Sequence, residues 1–373
     1  MVEFITMAPT AGDGEFVGAV HNSTTKKLNS WTGTDESSDR PPTHEYIKAV
    51  AQAAEKGGFS TLLLPTGAGC LDSLAVAANL IAYTSKLKFL FAVRPGFIAP
   101  TTFAKQFATV DYWSGGRALV NIVTGGSPIE LAGEGDFLEH DVRYRRTREY
   151  IQVLKKLFTK DRFDYQGEFF NLREASLFPK PLNTPQIYFG GASEIGKEVA
   201  AEESDVYMMW GETIENTKER IEEMKQLSTK RKRVLSYSIS FQVVLGETEE
   251  AAWENAERLL SKAPPSVLQK KGEMTSKEDS VGAKRLHQLM ESGIEKNFKI
   301  GANLWAGLTQ VISGNSIALV GTSDQVAERI VEYVQLGFDK ILLRGFPHLE
   351  TIEQVGQTVI PKVRENLAQS QLV

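Results

Sequence analysis

Cysteine is nearly absent: the 373-residue chain has one, Cys70. A single thiol excludes a disulfide framework within the chain and any zinc site built from several cysteines. Long apolar runs are missing too. No stretch approaches the roughly twenty apolar residues that cross a bilayer. The amino terminus, MVEFITMAPTAGDG, lacks the basic start and continuous apolar run of a secretory signal. Positive charge is not in excess, since 42 Lys and Arg stand against 47 Asp and Glu for a formal charge of -5. That balance argues against general binding to a nucleic-acid backbone and leaves room for a local basic pocket. There is no GxGxxG after the first strand-like segment, no GxxxxGKS/T and no HExxH. Rossmann, P-loop and zincin readings therefore lack their signatures. The expectation is a soluble, cytoplasmic protein of a reducing compartment, with no metal, no nucleic acid and no membrane among its partners.

What the chain has in quantity is one cadence. With 42% hydrophobic and 24% charged residues it is globular, and we read residues 1–373 as a single domain. The stretch from Gly115 to Tyr150 sets the pattern. A strand-forming run, Ala118 to Val123, is entered through Gly115-Gly116 and left through Thr124, Gly125 and Gly126. A short apolar run bracketed by glycines reads as a strand buried on both faces, with a loop at its carboxyl end that a ligand can approach. Glu139-His140-Asp141 follows, then a helical pattern from about Arg143 to Phe158. Similar strand-then-helix units begin at Val2, Thr61, Leu87, Ile187, Val206, Val234 and Lys340. Asp161 to Leu172 has hairpin character, with Gly167 at its turn. Residues 21–42 read as a polar loop. The lysine-rich stretch near 263–300 shows no clear core stripe and reads as an insertion. About eight such units predict a (β/α)8 TIM barrel with insertions, in which chemistry sits on loops at the strand carboxyl ends. Thr10, Cys70, Arg94, Asn121, Thr124, Ser193, Trp210, Gln242 and Arg344 fall there.

The motifs LLLPTGAGCLD, LVNIVTGGSPIELAGEGDFLEHDVRY, YFGGASE, WGET, NLWAGL and ALVG stand in this order along nearly the whole chain. The ordered set resembles the bacterial luciferase-like flavin monooxygenase superfamily, and above all its FMNH2-dependent alkanesulfonate monooxygenase branch. The resemblance implies a TIM barrel that uses reduced FMN, supplied by a separate NAD(P)H-dependent flavin reductase, to activate O2 against a small organosulfur substrate. It also implies a homodimer or homotetramer. His140, Tyr144 and Ser193 would hold the phosphate or ribityl chain, and Asn121 and Thr124 would face the cofactor. Arg94, Gly191 and Ala192 fall in the same cofactor site. Cys70 matches the cysteine near the flavin and is otherwise a small buried residue. Trp210 matches an active-site tryptophan and is otherwise packing.

Four positions depart from the branch. Ser240 and Gln242 stand where an Arg and a His are expected, Ile312 where a second sulfonate-binding Arg is expected, and Phe346 where a Tyr is expected. A sulfonate wants planar bidentate donors. Arg94 and Arg344 are the cations left to meet it, with Arg344 either inward or a rim charge. The reaction side of the site is thus assigned to Cys70, Trp210, Gln242 and Arg344. Two alternatives share the barrel: a deazaflavin-dependent oxidoreductase, and a flavin-binding protein without monooxygenase activity.

Overall fold

The computed structural model describes residues 2–17, 40–265, 279–312 and 314–370. The polar loop expected over residues 21–42 lies almost wholly outside them, as does the middle of the expected insertion. Eight parallel strands close into a barrel: β1 (Glu3–Met7), β2 (Thr61–Leu64), β3 (Lys88–Val93), β4 (Ala118–Ile122), β7 (Ile187–Phe189), β8 (Val206–Trp210), β9 (Ser236–Leu245) and β13 (Lys340–Arg344). Each pairs with the next in that order, and β13 returns to β1 with Ile5 opposite Leu342. The predicted hairpin is an antiparallel pair outside the barrel, β5 (Phe163–Gln166) with β6 (Asn171–Ala175).

Strand periodicity explains where the core and the site sit. Successive side chains point to opposite faces. Phe89, Phe91 and Val93 join one apolar cluster with helical residues such as Val50, Ala54, Phe103 and Phe107. Ile5, Leu63, Leu90, Leu119, Tyr188, Val206 and Leu342 form a second cluster that plugs the barrel interior. Two residues further along the same strands come Met7, Pro65, Ala92, Asn121, Gly190, Met208 and Arg344, all lining one cavity. The apolar plug is therefore the floor of the site.

The helices follow their sequence signals. In α1 (His44–Lys56) the Thr43 side chain caps the amino terminus by accepting from the Tyr46 N–H, and Ile47, Val50, Ala51 and Ala54 are buried. Helices α2 (Ser73–Leu80), α3 (Pro100–Ser114) and α5 (His140–Thr159) continue the ring, with the short α4 (Pro128–Gly133) before α5. They are followed by α6 (Glu194–Glu203), α7 (Ile214–Lys230) and α8 (Glu249–Leu260). None of the described helices is long and apolar enough to cross a membrane.

The stretch near 263–300 differs from expectation. It contains a helix, α9 (Val281–Ser292), whose Ala283, Leu286 and Met290 are buried at helical spacing. Interleaved Lys284, Arg285 and His287 hide that stripe in the sequence. Strand β9 is also longer than the barrel needs. Ser238 to Gln242 pair with β13, whereas Gln242 to Leu245 pair with β12 (Ala318–Gly321), which carries antiparallel β11 (Leu304–Trp305) and β10 (Lys299–Gly301) outward. Helices α10 (Ser323–Gln335), α11 (His348–Gln354) and α12 (Ile360–Ser370) complete the fold.

A five-residue π-helical turn, Val355–Val359, joins α11 to α12. Its Gly356 lies against Gly57 at the end of α1: an added Cβ would meet Gly57 Cα at 2.5 Å. Backbone on both sides leaves nothing flexible to yield. Gly356→Ala is expected to destabilise the fold by about 2 kcal/mol, read as a lower urea midpoint at unchanged m-value.

Candidate functional site

A cavity of about 500 Å³ opens at the carboxyl ends of the barrel strands, a volume typical of small-molecule sites. One arm is polar. Helix α6 begins at this arm, preceded by Gly190, Gly191, Ala192 and Ser193, which all line the cavity. The Ser193 side chain caps the helix by accepting from the Gly196 N–H at 3.2 Å. A helix amino terminus presents unpaired N–H groups and a partial positive charge, the elements of an anion site. Across from it, α5 starts at His140, three residues earlier than the sequence pattern suggests. That start places His140 and Tyr144 one turn apart, with ring centroids 4.8 Å from each other. Burial raises the Tyr144 phenol, with Ser193 opposing it in part, keeping the proton on the oxygen at neutral pH. His140 Nδ1 is 2.6 Å from Asp141 Oδ1, so a ligand would meet Nε2.

Small residues make this arm possible. A Cβ at Gly191 would come 3.0 Å from Gly196 Cα and 3.3 Å from Tyr144 Cε1. The loop thus lies flush against the tyrosine only because both positions are glycine. Tyr207 Oη donates to the Gly191 carbonyl at 2.7 Å and fixes the loop from below. The cradle has a shape and polarity suited to a phosphate.

The other arm is walled largely by Met7, Leu63, Ala92, Ile122, Met208 and Leu342, with Trp210 at its side. The roof comes from the insertion. Ser280 lies over Gly126, where a Cβ would approach it to 2.9 Å, and Gly282 lets α9 close on the Trp210 indole, since a Cβ there would come 2.8 Å from Cζ3. Asp279 is tied to Arg143 of α5 by an ion pair.

The structure brings Arg94, Asn121, Thr124, His140, Tyr144, Gly191, Ala192, Ser193, Trp210 and Arg344 together around this cavity. Two assigned residues stand back from it. Gln242 is wholly buried, its Nε2 donating to the Asn315 carbonyl at 2.8 Å, because the strand leaves the barrel toward β12 at this residue. Cys70 is half-buried behind the Gly67 loop. Burial raises its thiol, so the reactive thiolate is disfavoured. Thr124 Oγ1 is engaged with Thr147 at 3.0 Å. The positions that depart from the alkanesulfonate pattern split as well: Ser240 lines the cavity, whereas Ile312 and Phe346 pack in a separate apolar cluster with Leu308 and Val17.

Charges around the cavity were less legible in the sequence. Arg94 pairs with Glu130, at 2.9 Å, and with Glu134. Arg220 pairs with the buried Glu212, whose carboxyl burial pushes up against the opposing pull of Arg220. Arg344 faces inward with 5% exposure and no carboxylate partner among the described residues. Burial pushes its guanidinium down to about 10, which still leaves it charged at neutral pH.

A closed parallel barrel with a polar cradle at a helix amino terminus and a deep, partly apolar cavity at its carboxyl rim has the layout of a small-molecule site of the TIM-barrel class. Residues 21–340 match the luciferase-like monooxygenase family, and the chain belongs to it. Its fold is similar to that of a riboflavin lyase solved with modified FMN and riboflavin, at 19% identity and TM-score 0.75, over 98% of this chain and 92% of that one. EDTA monooxygenase from Chelativorans sp. BNC1 is similar at 17% identity and TM-score 0.69, over 98% and 94%. The coenzyme F420 dependent tetrahydromethanopterin reductase from Methanopyrus kandleri is similar at 18% identity and TM-score 0.63, over 86% and 95%.

Proposed function

We propose that the chain is the oxygenase half of a two-component monooxygenase, taking reduced FMN from an NAD(P)H-dependent flavin reductase and using O2 to oxygenate or desulfonate a small organosulfur compound. The observation that carries this reading is the cradle: a capped helix amino terminus, two glycines in contact, and the facing His140 and Tyr144 at one end of the cavity. A phosphate would be held by the α6 N–H groups, the Ser193 hydroxyl, the protonated Tyr144 phenol and His140. Asn121 and Trp210 would border the ring system. When bound, reduced flavin would supply the electrons that activate dioxygen.

The chain's own contribution is placement and dryness. Ile122, Ile129, Val281 and Trp210 line the cavity and exclude water from a reaction that water would divert. Glu130 and Glu134 hold Arg94 at the mouth, and Asp279 with Arg143 holds the roof. Similar folds include an EDTA monooxygenase and two coenzyme F420 dependent enzymes, so the test must separate cofactors. Photoreduced FMN with O2 and no NADH is expected to support turnover of at least one member of a panel of sulfonates, sulfones and aminocarboxylates. A clear preference for deazaflavin in a parallel titration, or substrate loss no faster than with free reduced flavin, would overturn the reading. The homodimer or homotetramer belongs to the same proposal, and light scattering of purified protein tests it.

A further inference from the structure

The guanidinium at the floor of the cavity is short of partners. Arg344 ends β13 with its side chain turned into the barrel. Its Nη2 donates to the Asn315 carbonyl at 3.2 Å, its Nη1 lies 3.4 Å from Met7 Sδ, and its Nε has no partner. The two other guanidiniums lining the cavity, Arg94 and Arg220, each hold a carboxylate. Asp13, the acid whose field reaches Arg344, is occupied by His348 and Tyr46. Beside Arg344, both side-chain amide atoms of Asn315 are buried and unpartnered, as is Oε1 of Gln242, the residue opposite Arg344 on β9.

Such a cluster is costly unless something completes it. Buried polar groups are nearly always hydrogen-bonded, and an uncompensated buried charge is among the most destabilising features a fold can carry. An oxyanion would satisfy its donors: two oxygens can accept from the planar fork of a guanidinium, and a neighbouring amide can supply one more donor. Met7, Leu63, Met208 and Leu342, which line the same arm, suit an apolar remainder.

We propose that the substrate carries one oxyanion, a carboxylate or sulfonate, seated on Arg344 and the Asn315 amide, with an apolar remainder over Met7, Leu63 and Met208. This deepens the flavin reading, which places the cofactor phosphate in the opposite arm, and it disfavours an uncharged sulfone. Arg344 thereby takes the part that Ser240 and Ile312 cannot play.

Two nearly isosteric pairs test it on the full chain without flavin, at fixed ionic strength: methanesulfonate against dimethyl sulfone, and butanoate against butanamide. Calorimetric titration is expected to show the anion of each pair binding at least about tenfold more tightly. Arg344→Gln should abolish that difference while keeping FMN affinity within about threefold. Equal affinity within the pairs, or discrimination that survives Arg344→Gln, overturns the inference. So does a variant that loses reduced FMN yet still prefers the anions, because the guanidinium would then serve the flavin. Should Arg344→Gln not fold, Asn315→Ala is expected to weaken the anions alone, and an unchanged anion affinity in that variant counts against the site. A wild-type chain that prefers the anions but does not bind FMN sinks the flavin reading and leaves the oxyanion seat standing; the reverse result does the opposite.

Discussion

Ser193→Asp is expected to lose FMN while keeping riboflavin. Aspartate caps a helix as well as serine does, so the bond now made by Ser193 Oγ to the Gly196 N–H has a replacement and α6 stays formed. What changes is charge. The new carboxylate occupies the electropositive helix terminus and stands where the phosphate would arrive. Two unit charges about 4 Å apart repel by about 4 kcal/mol at an effective dielectric near 20. Even half of that energy raises the FMN dissociation constant by more than about tenfold, and the full value by several hundredfold. Riboflavin has no phosphate and is expected to bind within about threefold of wild type. Fluorescence-quenching titrations with both ligands read the difference. Equal losses, or none, would remove the phosphate from this end of the cavity.

Asp13→Ala is expected to be the most damaging single change to the fold. Asp13 is completely buried, and its two oxygens accept from the N–H groups of Gly14 and His348, from His348 Nδ1 at 2.9 Å and from Tyr46 Oη. It ties the loop after β1 to the start of α11 and to α1. Truncation leaves several buried donors unpaired, a loss of roughly 3–5 kcal/mol. The pH dependence follows from the same contacts. Burial alone would raise the carboxyl, but the charge and hydrogen bonds of His348, with Tyr46, outweigh it and hold it below its ordinary value of 3.8. A group depressed in the folded state contributes stability above its unfolded value and loses it as pH falls through the folded one. Urea unfolding should therefore show the gap between wild type and Asp13→Ala fully present near neutrality and narrowing below about pH 4. A gap that widens in acid would contradict the assignment.

The barrel was readable because each strand is a short apolar run followed by small or polar residues, and that alternation needs no knowledge of distant neighbours. The cradle was nearly as readable: His140 and Tyr144 are one helical turn apart, and Ser193 is a helix cap. Gln242 misled because position on a strand predicts inwardness only while the strand stays in the barrel, and β9 leaves it at this residue. The roof was hidden because α9 buries Ala283, Leu286 and Met290 but alternates them with charges. Ion-pair partners were the least accessible. Arg94 finds Glu130 and Glu134 at separations of 36 and 40 residues. No local pattern announces that Arg344 finds no acid among the described residues.

Barrel closure joins the two most distant strands of the chain: Lys340 reaches Glu3 across 337 positions of sequence, its Nζ 3.2 Å from the glutamate oxygen. On a ribosome the first strand must therefore wait, one edge unpaired, until the last barrel strand has emerged. Long-range parallel pairing is slow to form and exposed to mispairing while it waits. Since Arg344 arrives with the final strand and Met7 with the first, the cavity floor is assembled last, and a half-made barrel holds no ligand.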